Sequence, residues 1–249
     1  AGLVAKEGVS SWLCSAWEEE KARPLVPGSD LVLSLGGDGT VNNAAACLLG
    51  GSAWLAPLPG GTENLLCREL GLSRDAAAAA VALARGRPVR RDVGLLDGRP
   101  FVMMAGIGFD GAVVQRVTPA WRSAVGSYVA HAVQAARTLF DPPRLFNVAW
   151  DGGGAAGLHQ AIFSNGRYYG GGLRVSPRAD AGDGRLDAAF LPWRGQAGRL
   201  AQILALRGMA PRRFQPRRAR VRAARVTTPG ALAAQVDGEA VTVRRPRIG

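Results

Sequence analysis

An apolar run, Leu31–Leu35, feeds directly into Gly36-Gly37-Asp38-Gly39-Thr40 and then into a helical segment, Val41–Leu49. A short apolar run entered from the turn Gly28-Ser29-Asp30 predicts a buried parallel strand. Glycines lack Cβ, so backbone N–H groups at such a loop can approach phosphate oxygens closely. The helix that follows points the positive end of its dipole at the same place, which adds Val41 and Asn42 of its first turn as candidate contacts. Asp38 beside a phosphate implies a cation between two anions, so it is expected to act through Mg²⁺. Thr40 can donate a hydroxyl hydrogen bond or cap the helix. Asp-Gly is also ordinary turn chemistry, so the loop alone does not separate a phosphate site from a plain strand–turn–helix connection. It is neither a Walker A loop nor a GxGxxG fingerprint.

A second loop repeats the arrangement. Ala53–Pro57 reads as a strand, and Pro57-Leu58-Pro59-Gly60-Gly61-Thr62-Glu63-Asn64 leads from it into a helix expected from about Glu63 to Leu70. Two such loops at one edge of a parallel sheet are expected to face each other across a crevice, where α/β sheets bind ligands. Gly61, Thr62 and Asn64 are then candidates to contact a phosphate chain or ribose, and helix capping by Thr62 is compatible with that role. Helices are also expected at Ser11–Lys21 and Asp75–Arg85, the latter closed by Gly86 and Pro88.

After Arg90 the pattern changes. Val93–Leu96, Pro100–Ala105, Leu145–Trp150, Gln160–Ser164, Leu186–Leu191, Arg218–Thr227 and Gln235–Val243 read as short strands separated by Gly, Pro and Asp turns. Helical stretches interrupt them at Ser127–Leu139 and Gln196–Leu206. The chain therefore divides into an α/β domain, residues 1–92, and a mainly antiparallel β domain, residues 93–249.

Hydrophobic residues make up 47% of the 249 and charged residues 20%, which excludes global disorder. The net charge of +12 makes polyanions the expected partners: nucleotide phosphates, nucleic acid or an anionic membrane surface. The arginines of Arg212-Arg213, Arg217–Arg225 and Arg244–Arg247 read as a solvated strand face or as a draw toward anionic headgroups. A nucleic-acid partner is not expected, because the aromatic platforms and known modules it needs are missing. Cys14, Cys47 and Cys67 form neither CxxC nor a metal pattern, so free thiols in a reducing, cytoplasmic compartment are expected. His131 and His159 stand alone, against a zinc site. No stretch approaches the ~18–20 apolar residues of a membrane span, and there is no signal-peptide pattern. The sequence opens in mid-pattern without Met, so an N-terminally incomplete domain is expected.

The two loops, in this order, resemble the diacylglycerol kinase catalytic-domain family, which includes sphingosine kinases and bacterial lipid kinases. Further segments are similar to the family's: Gly106-Ile107-Gly108-Phe109-Asp110, Asn165-Gly166 with Gly170-Gly171-Gly172, Asp180 through Asp187, and the closing Asp237-Gly238-Glu239. The resemblance implies an α/β domain plus a β-sandwich domain with ATP and Mg²⁺ in the cleft between them. It implies a soluble ATP-dependent lipid kinase acting at an anionic membrane surface on a lipid such as diacylglycerol or a sphingoid base. Asp38 then belongs to the nucleotide site and Glu239 is the candidate base, although Asp237-Gly238-Glu239 is also a plain hairpin turn. The Asp180–Arg185 turn, through Asp180, Asp183 and Arg185, is implied as a metal-binding element. A surface turn is the plainer reading there, since Asp183-Gly184 is a common hairpin signal. Asp110 is either near the cleft or a buried structural acid.

Two departures stand out. The family's opening strand and Asn-Pro turn are absent, and the second loop continues Asn64-Leu65-Leu66-Cys67 rather than Asn-Asp-Phe-Ala, which leaves the lipid open. An NAD kinase-like small-molecule kinase shares the first loop, but the Asn-Glu segment expected of it is missing. A catalytically inactive nucleotide- or membrane-binding relative is a third reading, opposed by the presence of Asp38, Asp183 and Glu239. The sequence leaves a homodimer open.

Overall fold

The computed structural model describes residues 24, 26–170 and 173–249. The expected helix Ser11–Lys21, Cys14, Gly171 and Gly172 lie outside these residues. The first unit pairs β1 (Leu31–Gly36) with β2 (Trp54–Pro59) in parallel, Leu31 opposite Trp54 and Gly36 opposite Pro59. Helix α1 (Asp38–Leu48) leaves the end of β1. Helix α2 (Leu65–Glu69) follows β2, and α3 (Ala76–Arg85) starts at Asp75, whose side chain accepts from the Ala78 N–H at 2.7 Å as an N-cap.

β1 differs from the buried strand its apolar run predicts. Val32 and Ser34 are buried, whereas Leu31, Leu33 and Leu35 are 52%, 62% and 64% exposed. Residues two apart share one face of a strand, so covering one face leaves the alternate set open. The second helix is also shorter than expected. It starts at Leu65 because Asn64 takes a left-handed conformation (φ 50°).

The rest of the chain builds an antiparallel sheet closed over one core. The strands are β3 (Gly94–Leu96), β4 (Arg99–Phe101), β5 (Met104–Gly108), β6 (Phe146–Trp150), β7 (Gly153–Ser164), β8 (Leu186–Pro192), β9 (Arg217–Val221), β10 (Ala224–Thr227), β11 (Leu232–Val236), β12 (Glu239–Val243) and β13 (Arg247–Ile248). The main path runs β12-β11-β5-β7-β6-β10-β13-β3-β4, with β8 joining β7 to β9. β7 serves both halves: Gly153–Leu158 pairs with β6, and Gln160–Ser164 pairs with β5 and β8. The register slips at the changeover, between Leu158 and Gln160, which is how a strand turns a sandwich corner. Alternate residues point inward, and Phe101, Ile107, Phe146, Phe163, Phe190 and Leu232 are among the fully buried side chains.

Three expected strands divide. Pro100–Ala105 splits into β4 and β5, Arg218–Thr227 into β9 and β10, and Gln235–Val243 into the end of β11 and β12. Helices α4 (Phe109–Arg116) and α5 (Pro119–Val125) appear where none was expected, followed by α6 (Ser127–Thr138) and later α7 (Gly195–Leu206). The α4 sequence has Gly111 and two valines, a poor helix by propensity. Packing stabilises it instead: Gly111 lies so close to β11 that a Cβ there would fall 2.3 Å from the Ala234 backbone.

A smaller core joins the two units. Val41 and Ala45 of α1 and Leu65 and Leu66 of α2 pack on Val102, Met103 and Met104, at the junction of β4 and β5. Glu69, at the end of α2, accepts from the Arg167 backbone N–H at 3.0 Å and from its Nε at 2.9 Å. Among the described residues no helix is long and apolar enough to cross a membrane.

Candidate active site

The two glycine loops touch rather than face each other across a crevice. The Gly60 N–H donates to the Gly36 carbonyl at 2.9 Å. A Cβ on Gly61 would lie 2.4 Å from the Gly37 Cα, so the loops form one continuous backbone surface that only glycine permits. Asn64 closes the second loop on itself. Its Oδ1 accepts from the Gly61 N–H at 2.8 Å and its Nδ2 donates to the Gly61 carbonyl at 2.7 Å. The amide expected to reach a ligand is therefore committed to shaping the loop, while Thr62 lines the cleft.

Helix α1 opens at the same surface, with Gly37 as an extended N-cap and Asp38 as its first residue. Asp38 Oδ1 accepts from the Leu65 N–H at 2.5 Å, tying the first loop to α2. Burial pushes the Asp38 carboxyl above the usual carboxylate range, the Leu65 N–H pulls it down, and the Glu63 charge pushes it up again. A desolvated acid of this kind gains from a hard cation nearby, so its oxygen donor suits Mg²⁺. Thr40 stands over Gly36, where a Cβ would fall 2.5 Å from the hydroxyl. Val41 and Asn42 depart from expectation. The Val41 side chain is buried in the junction core and its N–H donates to the Gly37 carbonyl at 3.1 Å. The Asn42 amide donates to the Pro100 carbonyl at 3.2 Å. On a helix, only part of the first turn can face the loop, and these two side chains face the other domain.

The sandwich returns its own acids to this surface through the β11–β12 hairpin. Val236 pairs with Glu239, and the two residues between them, Asp237 and Gly238, have φ of 45° and 85°. This is the two-residue turn that an Asp-Gly pair favours. Glu239 begins β12 beside the first loop: a Cβ on Gly39 would sit 3.1 Å from Glu239 Oε1. Asp237 turns inward and accepts from three backbone N–H groups, Val102 at 2.6 Å, Met103 at 3.0 Å and Met104 at 2.8 Å. Burial raises the Asp237 carboxyl to about 7, against the pull of those N–H groups.

Asp110, at the start of α4, is a further acid that the sandwich brings to the cleft. It is bonded to side chains rather than to backbone. Gln235 Nε2 donates to its Oδ2 at 2.9 Å, and the Tyr169 hydroxyl is also bonded to it. Burial raises the Asp110 carboxyl, those two bonds lower it, and the charge of His131 lowers it further. The roles of Asp237 and Gln235 went unread in the sequence. The Asp-Gly turn was the available signal for Asp237, and Gln235 carried none.

These groups share a cleft of about 710 Å³. Its polar end holds Gly37, Asp38, Gly39 and Glu239, and its other walls include Val113, Val117, Ala135, Ile203 and Leu206. The Asp180–Arg185 turn stands apart from it. Asp180 Oδ1 accepts from the Gly182 N–H at 3.0 Å, and Asp183 Oδ1 accepts from the Arg185 N–H at 2.9 Å while pairing with Arg220. The turn leans on the domain junction, where the Gly184 N–H donates to Asp92 Oδ2 at 2.7 Å. Among the described residues no three His, Cys, Asp or Glu side chains gather as a metal site.

An α/β unit with paired glycine loops, joined to an antiparallel sandwich that returns acids to them, defines a two-domain kinase-like class. Residues 8–96 match the model of the diacylglycerol kinase catalytic domain, and residues 103–246 match that of the YegS C-terminal NAD kinase beta sandwich-like domain. The chain belongs to this diacylglycerol kinase and YegS-type lipid kinase family. It is 35% identical over 176 residues to a protein named "Diacylglycerol kinase" from Mycobacterium tuberculosis H37Rv, covering 67% of this chain and 56% of that protein. The chain thus spans little more than half the length of that relative. It is 30% identical over 254 residues to a "Probable lipid kinase YegS-like" protein of Klebsiella pneumoniae strain 342, covering 96% of this chain and 83% of that one. A crystal structure of a diacylglycerol kinase from Bacillus anthracis superposes with a TM-score of 0.68 at 19% identity, covering 92% of this chain and 77% of the other, which shows the shared fold.

Proposed function

We propose that the protein is an ATP-dependent lipid kinase, transferring the γ-phosphate of ATP to a hydroxyl of a lipid such as diacylglycerol or a sphingoid base. The observation that carries this reading is the approach of Glu239, from the sandwich, to Gly39 of the phosphate loop, at the polar end of a cleft with apolar walls. The joined loops around Gly36, Gly37, Gly39 and Gly61, with Thr40 and Thr62 beside them, hold the nucleotide phosphates. Mg²⁺, when bound next to Asp38, supplies neutralising charge for the γ-phosphate. Glu239 takes the proton of the acceptor hydroxyl as its oxygen forms the new P–O bond, and the bond to the β-phosphate breaks with its electron pair leaving on ADP. The walls formed by α4, α6 and α7 receive the acyl or alkyl chain. We assign residues 1–92 to nucleotide binding and 93–249 to the lipid, and keep the Asp180–Arg185 turn as a candidate structural metal element completed by backbone oxygens. The protein works in the cytoplasm at an anionic membrane surface, drawn there by its arginines.

Incubation with labelled ATP, Mg²⁺ and a panel of diacylglycerol, sphingosine, ceramide and NAD tests the assignment. Label in a lipid is the expected result. Label in NAD alone overturns it in favour of a small-molecule kinase, and transfer to no acceptor favours an inactive nucleotide-binding relative.

A further inference from the structure

The β11–β12 turn is held at two places. Asp237 grips its base through the Val102, Met103 and Met104 N–H groups. Its tip is held by Gln235, whose Oε1 accepts from the Gly238 N–H at 2.7 Å. The same amide donates from Nε2 to Asp110 Oδ2 at 2.9 Å. Gln235 is 2% exposed, so water does not compete for these bonds. A carboxamide carries a donor and an acceptor on one rigid plane, and both are used here.

A third element makes room for this bridge. Gln235 pairs across the sheet with Gly106 of β5. A Cβ on Gly106 would fall 2.0 Å from Asp110 Oδ2 and 3.1 Å from Gln235 Nε2, so the Gln235–Asp110 bond occupies the space an ordinary side chain would take. β5, β11 and α4 thus converge on one amide. Asp110 and Glu239, the acids at the two ends of the connection, both line the cleft.

We propose that Gln235 is a positioning residue that couples the Glu239 turn to Asp110, keeping the two acids in fixed relation across the acceptor part of the cleft. The proposal rests on the phosphotransfer reading for its kinetic consequence and not for its structural one. Gln235 lines the cleft, but both ends of its amide are committed to Gly238 and Asp110, so its loss acts through those two groups on the rate of transfer rather than on ATP binding, which we assign to the other domain.

The test compares Gln235→Met and Gln235→Glu with the wild type, reading ATP-dependent transfer to diacylglycerol and hydrogen exchange at the Gly238 amide without substrate. Gln235→Met keeps the length of the side chain and removes both bonds. Its kcat is expected to fall roughly 10- to 100-fold, as for a displacement of about 1 Å, with KM for ATP within about twofold. Gly238 exchange is expected to speed up about tenfold, the equivalent of one modest hydrogen bond. Gln235→Glu keeps the acceptor for Gly238 but sets a second carboxylate against Asp110, which also faces Tyr169 and His131. Its kcat is expected to recover as pH falls from 8 to 6, when a proton bridges the pair, a response that a merely structural contact does not give. Near-wild-type kcat in Gln235→Met, or a Gln235→Glu rate that runs parallel to wild type across pH, overturns the proposal. If Gln235→Met does not fold, the Gln235→Glu profile decides. If the wild type phosphorylates no lipid, the kinase reading fails by itself, and unchanged Gly238 exchange in Gln235→Met still overturns the coupling.

Discussion

Gly61→Ala tests whether the two glycine loops act as one surface. Gly61 does not sit in the left-handed region, so alanine is conformationally acceptable there and the effect is steric. The added Cβ falls 2.4 Å from the Gly37 Cα, 3.1 Å from the Gly37 N and 3.2 Å from Asn64 Oδ1. An ordinary carbon–carbon contact needs about 3.5 Å, so the loops must part by roughly 1 Å. The two nearest obstructing atoms are Gly37 backbone, so no rotamer change can absorb the main clash. Overpacking of this kind costs about 1–3 kcal/mol. The same shift carries the first loop relative to Glu239, and a misplacement of about 1 Å at a reacting centre lowers the rate by roughly 100-fold. Urea unfolding and steady-state transfer to diacylglycerol measure the two effects. Gly230→Ala is the control, because a Cβ there meets nothing within 4 Å. If Gly61→Ala matches that control in stability and in kcat, the loops are not packed as described and the continuous-surface argument is wrong.

Three further outcomes follow from single side chains. Glu239→Gln removes the proposed base with little change of shape and is expected to lower transfer by about 10²–10⁴-fold while leaving the melting temperature near wild type; retained activity would show that another group takes the proton. Asp237→Asn keeps the left-handed turn, which Asn tolerates, and its amide oxygen can still accept from Met103 and Met104, but its NH₂ opposes the Val102 N–H that now bonds Oδ2. The loss should be about 2–3 kcal/mol, read as a fall of several degrees in melting temperature, and an unchanged melt would refute the clamp. His159 is buried at the β7 corner with Nε2 2.9 Å from Gln202 Oε1. Burial pushes its imidazole from 6.5 down to about 4, the Gln202 bond works the other way, and the Arg199 charge adds to the lowering. A lowered pKa means the unfolded chain takes the proton first, so this contribution is present above pH 6.5 and is lost as pH falls through about 4. At about 1.36 kcal/mol per unit it reaches at most about 3 kcal/mol. Unfolding free energies at pH 7 and pH 4.5 should therefore diverge less in His159→Gln than in wild type, and equal pH dependences would count against the buried neutral imidazole.

Much of the loop architecture was legible because it depends on local backbone geometry. A glycine loop after an apolar run, a second one downstream and an Asp-Gly pair before Glu239 each demand a particular backbone, and the structure builds a turn at each. The family's ordered segments then identified an α/β unit followed by a sandwich. The less local the cause, the less the sequence showed. Leu31, Leu33 and Leu35 read as buried because an apolar run does not say which face of a strand is covered. Helix α4 went unread because Gly111 is unfavourable in an isolated helix and is required only by contact with β11. Asn64 and Asn42 read as ligand contacts because an amide beside a glycine loop can turn either way, and their partners, Gly61 and Pro100, are assigned by packing.

The sequence by itself determined where the backbone forms the two glycine loops and the Asp237-Gly238 turn, since glycine and Asp-Gly requirements act within a few residues. Only the tertiary structure decided that Asp237, Gln235 and Asp110 converge on Glu239. Those bonds span 125 to 135 positions and exist only once β5, β11 and α4 have packed.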